Sequence, residues 1–270
     1  MADLICKHLE DGILEIRMNR PNQLNALNPS RRMAVMEAFQ NLHNERQTRA
    51  VIFTGEGNGF CAGADMQESV APGGIPGTHG MNTLGFVYKF QEYLSNLILA
   101  IHECDKPIIA AIHGAAVGGG LGLALASDIR IASESAKFGA VAIKTGLSAA
   151  DVGTSYFLPR FVGAGIASEL MLTGRIFKAQ EAAELRLVSK VVSAEELTNE
   201  TLNMARTIAK NSEYGVWMTK KTLRSNLDAS SLREALEIEN RTQVLGTFTG
   251  AMEAAREAFT KGQAPQWKPL

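Results

Sequence analysis

The sequence predicts an α/β fold, on three observations. Short apolar runs alternate with segments of helical period along most of the chain. The glycine-rich stretch AAVGGGLGLALASD, residues 115–128, stands between one such run and one such helix. From about residue 195 the strand signals stop and only helical segments follow. The 270 residues allow one large domain, or one domain with a smaller appendage.

The elements follow in order. Asp11-Gly12 is a hairpin turn leading into a strand, ILEIRMN. RPNQLNALNPS is rich in turn residues. SRRMAVMEAFQNLHNER has helical spacing, with Ser30 as its expected N-cap. AVIFTG is a short buried strand that ends at the loop GEGNGFCAGAD. Residues 70–83, VAPGGIPGTHGMNT, concentrate Gly and Pro and are expected to form a mobile loop or lid. TLGFVYKFQEYLSNLILAIHE is a long helix, whose stripe Phe86, Phe90, Tyr93 and Leu97 suits either the core or the wall of a pocket. KPIIAAIHG and DIRIAS are strands on either side of the glycine run. Four helical segments close the chain, beginning with EELTNETLNMARTIAKN.

Composition narrows the function. A net charge of −1 offers no electrostatic footprint for nucleic acid. No apolar run is long enough for a membrane span, and MADLICKHLEDG lacks the apolar core of a secretion signal. Cys6, Cys61 and Cys104 are odd in number and widely spaced, in no metal-ligand pattern, so free thiols and a cytoplasmic location are expected.

The glycine run carries no Lys, Ser or Thr for a phosphate or its metal, and no GxxxxGK[ST] occurs. A dinucleotide fingerprint is likewise not convincing in AVGGGLGLA. A helix N-terminus presents unsatisfied N–H groups and partial positive charge. Glycine lets an oxygen approach those groups closely. Two uses fit: tight helix–strand packing, or an oxyanion hole for a carbonyl that becomes negative in a transition state. GFCAGADMQE, residues 59–68, repeats the design, with a strand, small residues, and then an expected helix start near Asp65. Two such turns can face one carbonyl.

NRPNQLNALN, GFCAGADMQE, KPIIAAIHGAAVGGGLGLALASDIRIAS, FGAVAIKTGLSAADVGTSYFLPRFVG and MLTGRIFKAQEAAELRLVSKVV resemble, in order and spacing, the crotonase (enoyl-CoA hydratase/isomerase) superfamily. The resemblance covers nearly the whole chain. It implies a spiral of ββα units over residues 1–195 and a helical trimerisation region over 196–270, with homotrimers or paired-trimer hexamers. It implies an acyl-CoA substrate, coenzyme A being part of that substrate and no separate cofactor or metal being needed. By position, the backbone amides of Ala64 and Gly119 are the oxyanion donors. Gln23, Leu24, Ala26, Ala62, Asp65 and Met66 match positions that cradle the coenzyme, and Phe259 and Lys261 match residues that reach a neighbouring subunit's coenzyme. Asp65 is expected to serve mainly as a helix cap.

The chain departs from the hydratase pattern at two points. The positions of the two hydratase glutamates are occupied by Gly122 and Ala142, neither of which transfers a proton. One carboxylate remains, Asp151, in a segment AADVGT that resembles dienoyl-CoA isomerases and is comparable to a turn of 4-chlorobenzoyl-CoA dehalogenases. A carboxylate desolvated by an apolar acyl chain suits general acid/base work near neutral pH. The competing role for Asp151 is to cap the helix through VGTSYFLPR. Glu68, Tyr156 and His79 are further candidates for contact with the acyl group, whereas His113 and Asp128 are expected to be structural. Enoyl-CoA double-bond isomerisation is the simplest expectation, with hydration possible through Asp151 alone. Thioester hydrolysis, decarboxylation, dehalogenation, or acyl-CoA binding with little turnover are the alternatives.

Overall fold

A computed structural model describes residues 3–67, 74–268 and 270. Its main sheet has six strands, and strand alternation explains why both faces are apolar. β1 (Leu4–His8) and β2 (Ile13–Met18) form the expected hairpin, with Asp11 in the left-handed region at φ 63°. β3 (Ala50–Gly55), β4 (Ile108–Ile112), β6 (Ile129–Ser133) and β9 (Lys190–Val192) continue in parallel, in the order β1-β2-β3-β4-β6-β9. One face carries Leu14, Ile16, Val51, Phe53, Ile108 and Ala110 into the main core. The other carries Ile13, Ile52, Ile109 and Ile131 against Leu197 and Ala205 of α7 (Leu197–Ala209). Parallel strands buried on both faces read as continuous apolar runs, which is why AVIFTG and IIAAI stand out.

A second sheet of three strands, β5 (Ala115–Val117), β7 (Lys137–Gly139) and β8 (Phe177–Lys178), lies beside the first. Single parallel bridges, Cys61 to Ala116 and Leu27 to Ala64, extend it toward the loop at 61–65. Helices α1 (Pro29–Asn41), α2 (Thr83–His102) and α3 (Gly119–Ala126) supply side chains to the main core, and α4 (Thr154–Val162) joins them. Then come α5 (Ala164–Thr173) and α6 (Ala179–Glu184). After α7 the chain is helical, as expected: α8 (Glu213–Asn226), α9 (Leu232–Gly246) and α10 (Ala251–Lys261).

One local expectation is corrected. Asn28, not Ser30, caps α1: its side chain accepts from the Arg31 amide, and Ser30 lies inside the helix and donates to Asp3. Pro29 explains the shift, because proline suits the first helical position and pushes the cap one residue back. Residues 66 and 67 form a turn, residues 68–73 after it lie outside the described residues, and the next helix among the described residues is α2. Residues 70–73 of the expected lid fall outside the described residues. In the rest of that segment Ile75 and Thr78 are buried, and the Thr78 hydroxyl donates to the Ile75 carbonyl at 2.7 Å.

Candidate active site

The amides of Ala64 and Gly119 are among those that find no acceptor among the described residues. In the loop after β3, the Ala62 amide donates to Leu24 O at 2.9 Å, Gly63 to Cys61 Sγ at 3.4 Å, and Asp65 to Leu27 O at 3.3 Å. Ala64 is skipped. On the other side, Val117 donates to Cys61 O at 3.1 Å and Gly118 to Gly139 O at 2.9 Å. Gly119, the first residue of α3, has no acceptor among the described residues. The two turns are pressed together: a Cβ on Gly63 would stand 3.1 Å from the Gly119 nitrogen and 2.8 Å from Val117 O.

The glycines have separate tasks. Gly118 has φ 52° and ψ −121°, a conformation open to glycine. At Gly120 a Cβ would lie 2.0 Å from the Cys61 carbonyl, so only glycine lets the 61–65 loop seat on α3. Gly119 itself is less demanding, since its Cβ would press on the Leu27 side chain at 3.2 Å and touch the Gly63 backbone at an ordinary 3.6 Å. Cys61 is fully buried, and burial pushes its thiol up to about 12; it serves as an acceptor for the Gly63 amide rather than as a nucleophile.

A cavity of about 160 Å³ opens at these turns. Ala62, Ala64, Met66, Gly118 and Gly119 form one side. Val141, Ala142, Leu147, Ala149 and Val152 form an aliphatic wall. Asp151 is the only Asp, Glu, His, Lys or Arg bordering it among the described residues. Sequence reasoning missed Val141, Leu147 and Val152, which lack polar or glycine signals of their own.

Asp151 does not cap α4. Gly153 is the cap residue, and the Asp151 side chain instead accepts from Gln91 Nε2 and, at 2.9 Å, from the Val152 amide. Gln91, on α2, was not legible in the sequence as a partner. Ala142 borders the cavity, whereas Gly122 is buried under Val152.

The expected coenzyme-binding positions divide. Ala62 and Met66 border the cavity, Met66 being exposed. Leu24, at φ 48°, and Gln23 are exposed on the turn joined to Ala62 through the Leu24 carbonyl. Ala26 is buried, its carbonyl held by Arg31 Nη1 at 2.9 Å. Asp65 accepts from the Gln67 amide at 2.9 Å and pairs with Arg20. Those two partners hold its carboxyl below the usual carboxylate range. Phe259 and Lys261, on α10, border no part of this cavity; Phe259 is exposed and Lys261 pairs with Glu257 at 2.5 Å.

The lesser candidates are settled by their contacts. Tyr156 donates to Asp228 and packs on Phe157, away from the cavity. His79 is exposed, and Glu68 lies outside the described residues. None of Phe86, Phe90, Tyr93 and Leu97 borders the cavity; Leu97 is in the main core, and Phe86 and Phe90 face each other with centroids 6.4 Å apart. His113 is structural as expected, with Nε2 3.0 Å from Gly57 O. Asp128 ties the Ile108 amide at 2.7 Å and Lys220 at 2.7 Å.

The profile of the enoyl-CoA hydratase/isomerase family matches residues 8–269. The chain belongs to the enoyl-CoA hydratase/isomerase family. Among its family relatives, a probable enoyl-CoA hydratase of Mycobacterium bovis is 37% identical over 263 residues, covering 97% of this chain and 91% of that protein. A 1,2-epoxyphenylacetyl-CoA isomerase of Escherichia coli is 31% identical over 268 residues, covering 99% of each. In three dimensions the chain matches the crystal structure of a probable enoyl-CoA hydratase/isomerase from Mycobacterium abscessus. The TM-score is 0.92 at 34% identity, covering 99% of both chains. The crotonase fold expected from the motifs is therefore the fold of this family member. Relatives carry both hydratase and isomerase names, so the family is shown and the reaction is left to the site's chemistry.

Proposed function

We propose that this family member moves the double bond of an enoyl-CoA thioester. The carbonyl oxygen sits between the Ala64 and Gly119 amides, and the enolate formed on loss of an α-proton is held there. Such donors are worth about 3 kcal/mol each. Asp151 takes the proton from the carbon next to the thioester and returns it at the far end of the dienolate, so one carboxylate serves both steps. The carrying observation is that Asp151 is, among the described residues, the one Asp, Glu, His, Lys or Arg on a cavity lined mainly by aliphatic groups and glycine, with Thr145 and Thr154. Ala142 and Gly122 supply no second acid, which favours proton shuttling over the two-glutamate addition of water. Hydration through Asp151 alone is the second reading, favoured by the hydratase name of the M. bovis relative.

The cavity volume is close to one that holds benzene, about 150 Å³. A compact acyl portion of about six carbons fits it. In this reading Gln23, Leu24, Ala26, Ala62, Asp65 and Met66 lie along the coenzyme, and no cofactor beyond that coenzyme takes part. Trimers, or hexamers of paired trimers, form through residues 196–270. The exposed Leu223, Leu227, Leu245 and Phe248 on the C-terminal helices support that assembly, with Phe259 and Lys261 reaching a neighbour's coenzyme. No helix among the described residues is long and apolar enough to cross a membrane. Three unpaired cysteines support a cytoplasmic location.

The test is mass spectrometry of products from a panel of enoyl-CoA thioesters in deuterated water, with wild type and Asp151→Asn. Deuterium at the far end of the shifted double bond, lost in the variant, is the expected result. Tight binding with no exchange for any thioester overturns the reading.

A further inference from the structure

We propose that Gln91 is a positioning residue that aims the Asp151 carboxylate. The inference rests on the role given to Asp151 above. Gln91 lies on α2, 60 residues from Asp151 in sequence, and its Nε2 donates to Oδ1. The Val152 amide donates to the same oxygen at 2.9 Å. A carboxylate only accepts, so the Gln91 amide is obliged to present its NH₂ there. Both donors fall on Oδ1, and Oδ2 has no partner among the described residues. One oxygen is anchored and the other is left to bond a proton.

A second, independent feature holds the turn from the opposite side. Val152 has φ 45°, a left-handed conformation that a β-branched residue adopts only where its surroundings impose it. Its side chain and carbonyl lie directly over Gly122. The strained turn directs the Val152 amide back onto the carboxylate that precedes it. Asp151 is thus clamped between α3, through Val152, and α2, through Gln91. Without the α2 arm, rotation of the carboxylate would be limited by a single hydrogen bond.

The experiment compares Gln91→Leu and Gln91→Glu, alone and combined with Asp151→Asn. The readouts are kcat and KM for deuterium exchange into a β,γ-unsaturated acyl-CoA of about six carbons. Gln91→Leu keeps the length and removes the donor. Gln91→Glu keeps the polarity and cannot donate when ionised. Each is expected to lower kcat about tenfold or more, with KM and thermal midpoint unchanged. Neither lowers the residual rate further once Asp151 is Asn, because two groups acting as one unit are not additive. A Gln91 variant with wild-type kcat, or with the same loss in both backgrounds, overturns the positioning role alone. Asp151→Asn with full exchange overturns the role of Asp151, and that of Gln91 with it.

Discussion

Gly122 lies directly beneath Val152: a Cβ at position 122 would stand 2.7 Å from Val152 Cγ2 and 2.8 Å from its carbonyl oxygen. The position where the resemblance expects a hydratase glutamate is therefore closed here by the Val152 side chain and carbonyl, while Ala142 borders the cavity. Gly122→Glu is expected to cost about 3 kcal/mol or more, by overpacking against a turn that cannot retreat. Ala142→Glu is expected to fold and to set a second carboxylate in the cavity with Asp151. Its gain is faster addition of water to an α,β-unsaturated acyl-CoA, followed by loss of the enoyl thioester absorbance. A stable Gly122→Glu protein in a denaturant melt would contradict the steric argument.

Gly119→Pro separates the amide from the side chain. Proline is tolerated at the first position of a helix, and Gly119 holds that position in α3. The nearest atom to a Cβ there is the end of the Leu27 side chain, at 3.2 Å, with the Gly63 backbone at 3.6 Å. Removal of the N–H is expected to lower exchange roughly 100-fold or more. Circular dichroism and coenzyme A affinity should stay near wild type. Retained turnover would remove Gly119 from the oxyanion role.

Acid should weaken the fold before its carboxylates protonate. Burial lowers the affinity of His113 and His102 for protons, His113 facing the Gly57 carbonyl and His102 standing near Arg224. Both are depressed below the ordinary histidine value of about 6.5. As pH falls through that value the unfolded chain takes up protons that the folded chain refuses, so stability decreases with falling pH. Stability is full above about pH 6.5 and declines as pH falls below it. His113→Gln and His102→Gln should each flatten this decline, measured as denaturant midpoint against pH.

Thiol labelling should follow burial. Cys6 is exposed, Cys104 is buried, and the fully buried Cys61 is pushed up to about 12. Native protein at neutral pH is expected to take one alkyl group, at Cys6, in peptide mapping. Cys61 should react only after unfolding. Early labelling of Cys61 would mean that the loop carrying Ala64 opens from α3.

Much of this was legible in the linear sequence because local chemistry decides it. Asp11-Gly12 sets the hairpin, the apolar runs AVIFTG and IIAAI are strands buried on both faces, and the glycine run marks a strand meeting a helix. Motif order placed Ala64, Gly119 and Asp151 together on one cavity, although 32 residues separate Gly119 from Asp151. The sequence by itself also shows Gly122 and Ala142 at the positions where the resemblance expects a glutamate pair. What tertiary structure decided were the pairings of distant groups. Asp151 had a local alternative, a helix cap, and lost it because Gln91 and the Val152 amide claim its carboxylate instead. Asp65 pairs with Arg20, 45 residues earlier, a partner that no local pattern names. Gly122 and Val152 touch only once α3 and the 151–153 turn are packed, and that contact closes the hydratase position. Such contacts arise when apolar burial brings separate elements together, and no local pattern encodes which donor a carboxylate will then meet.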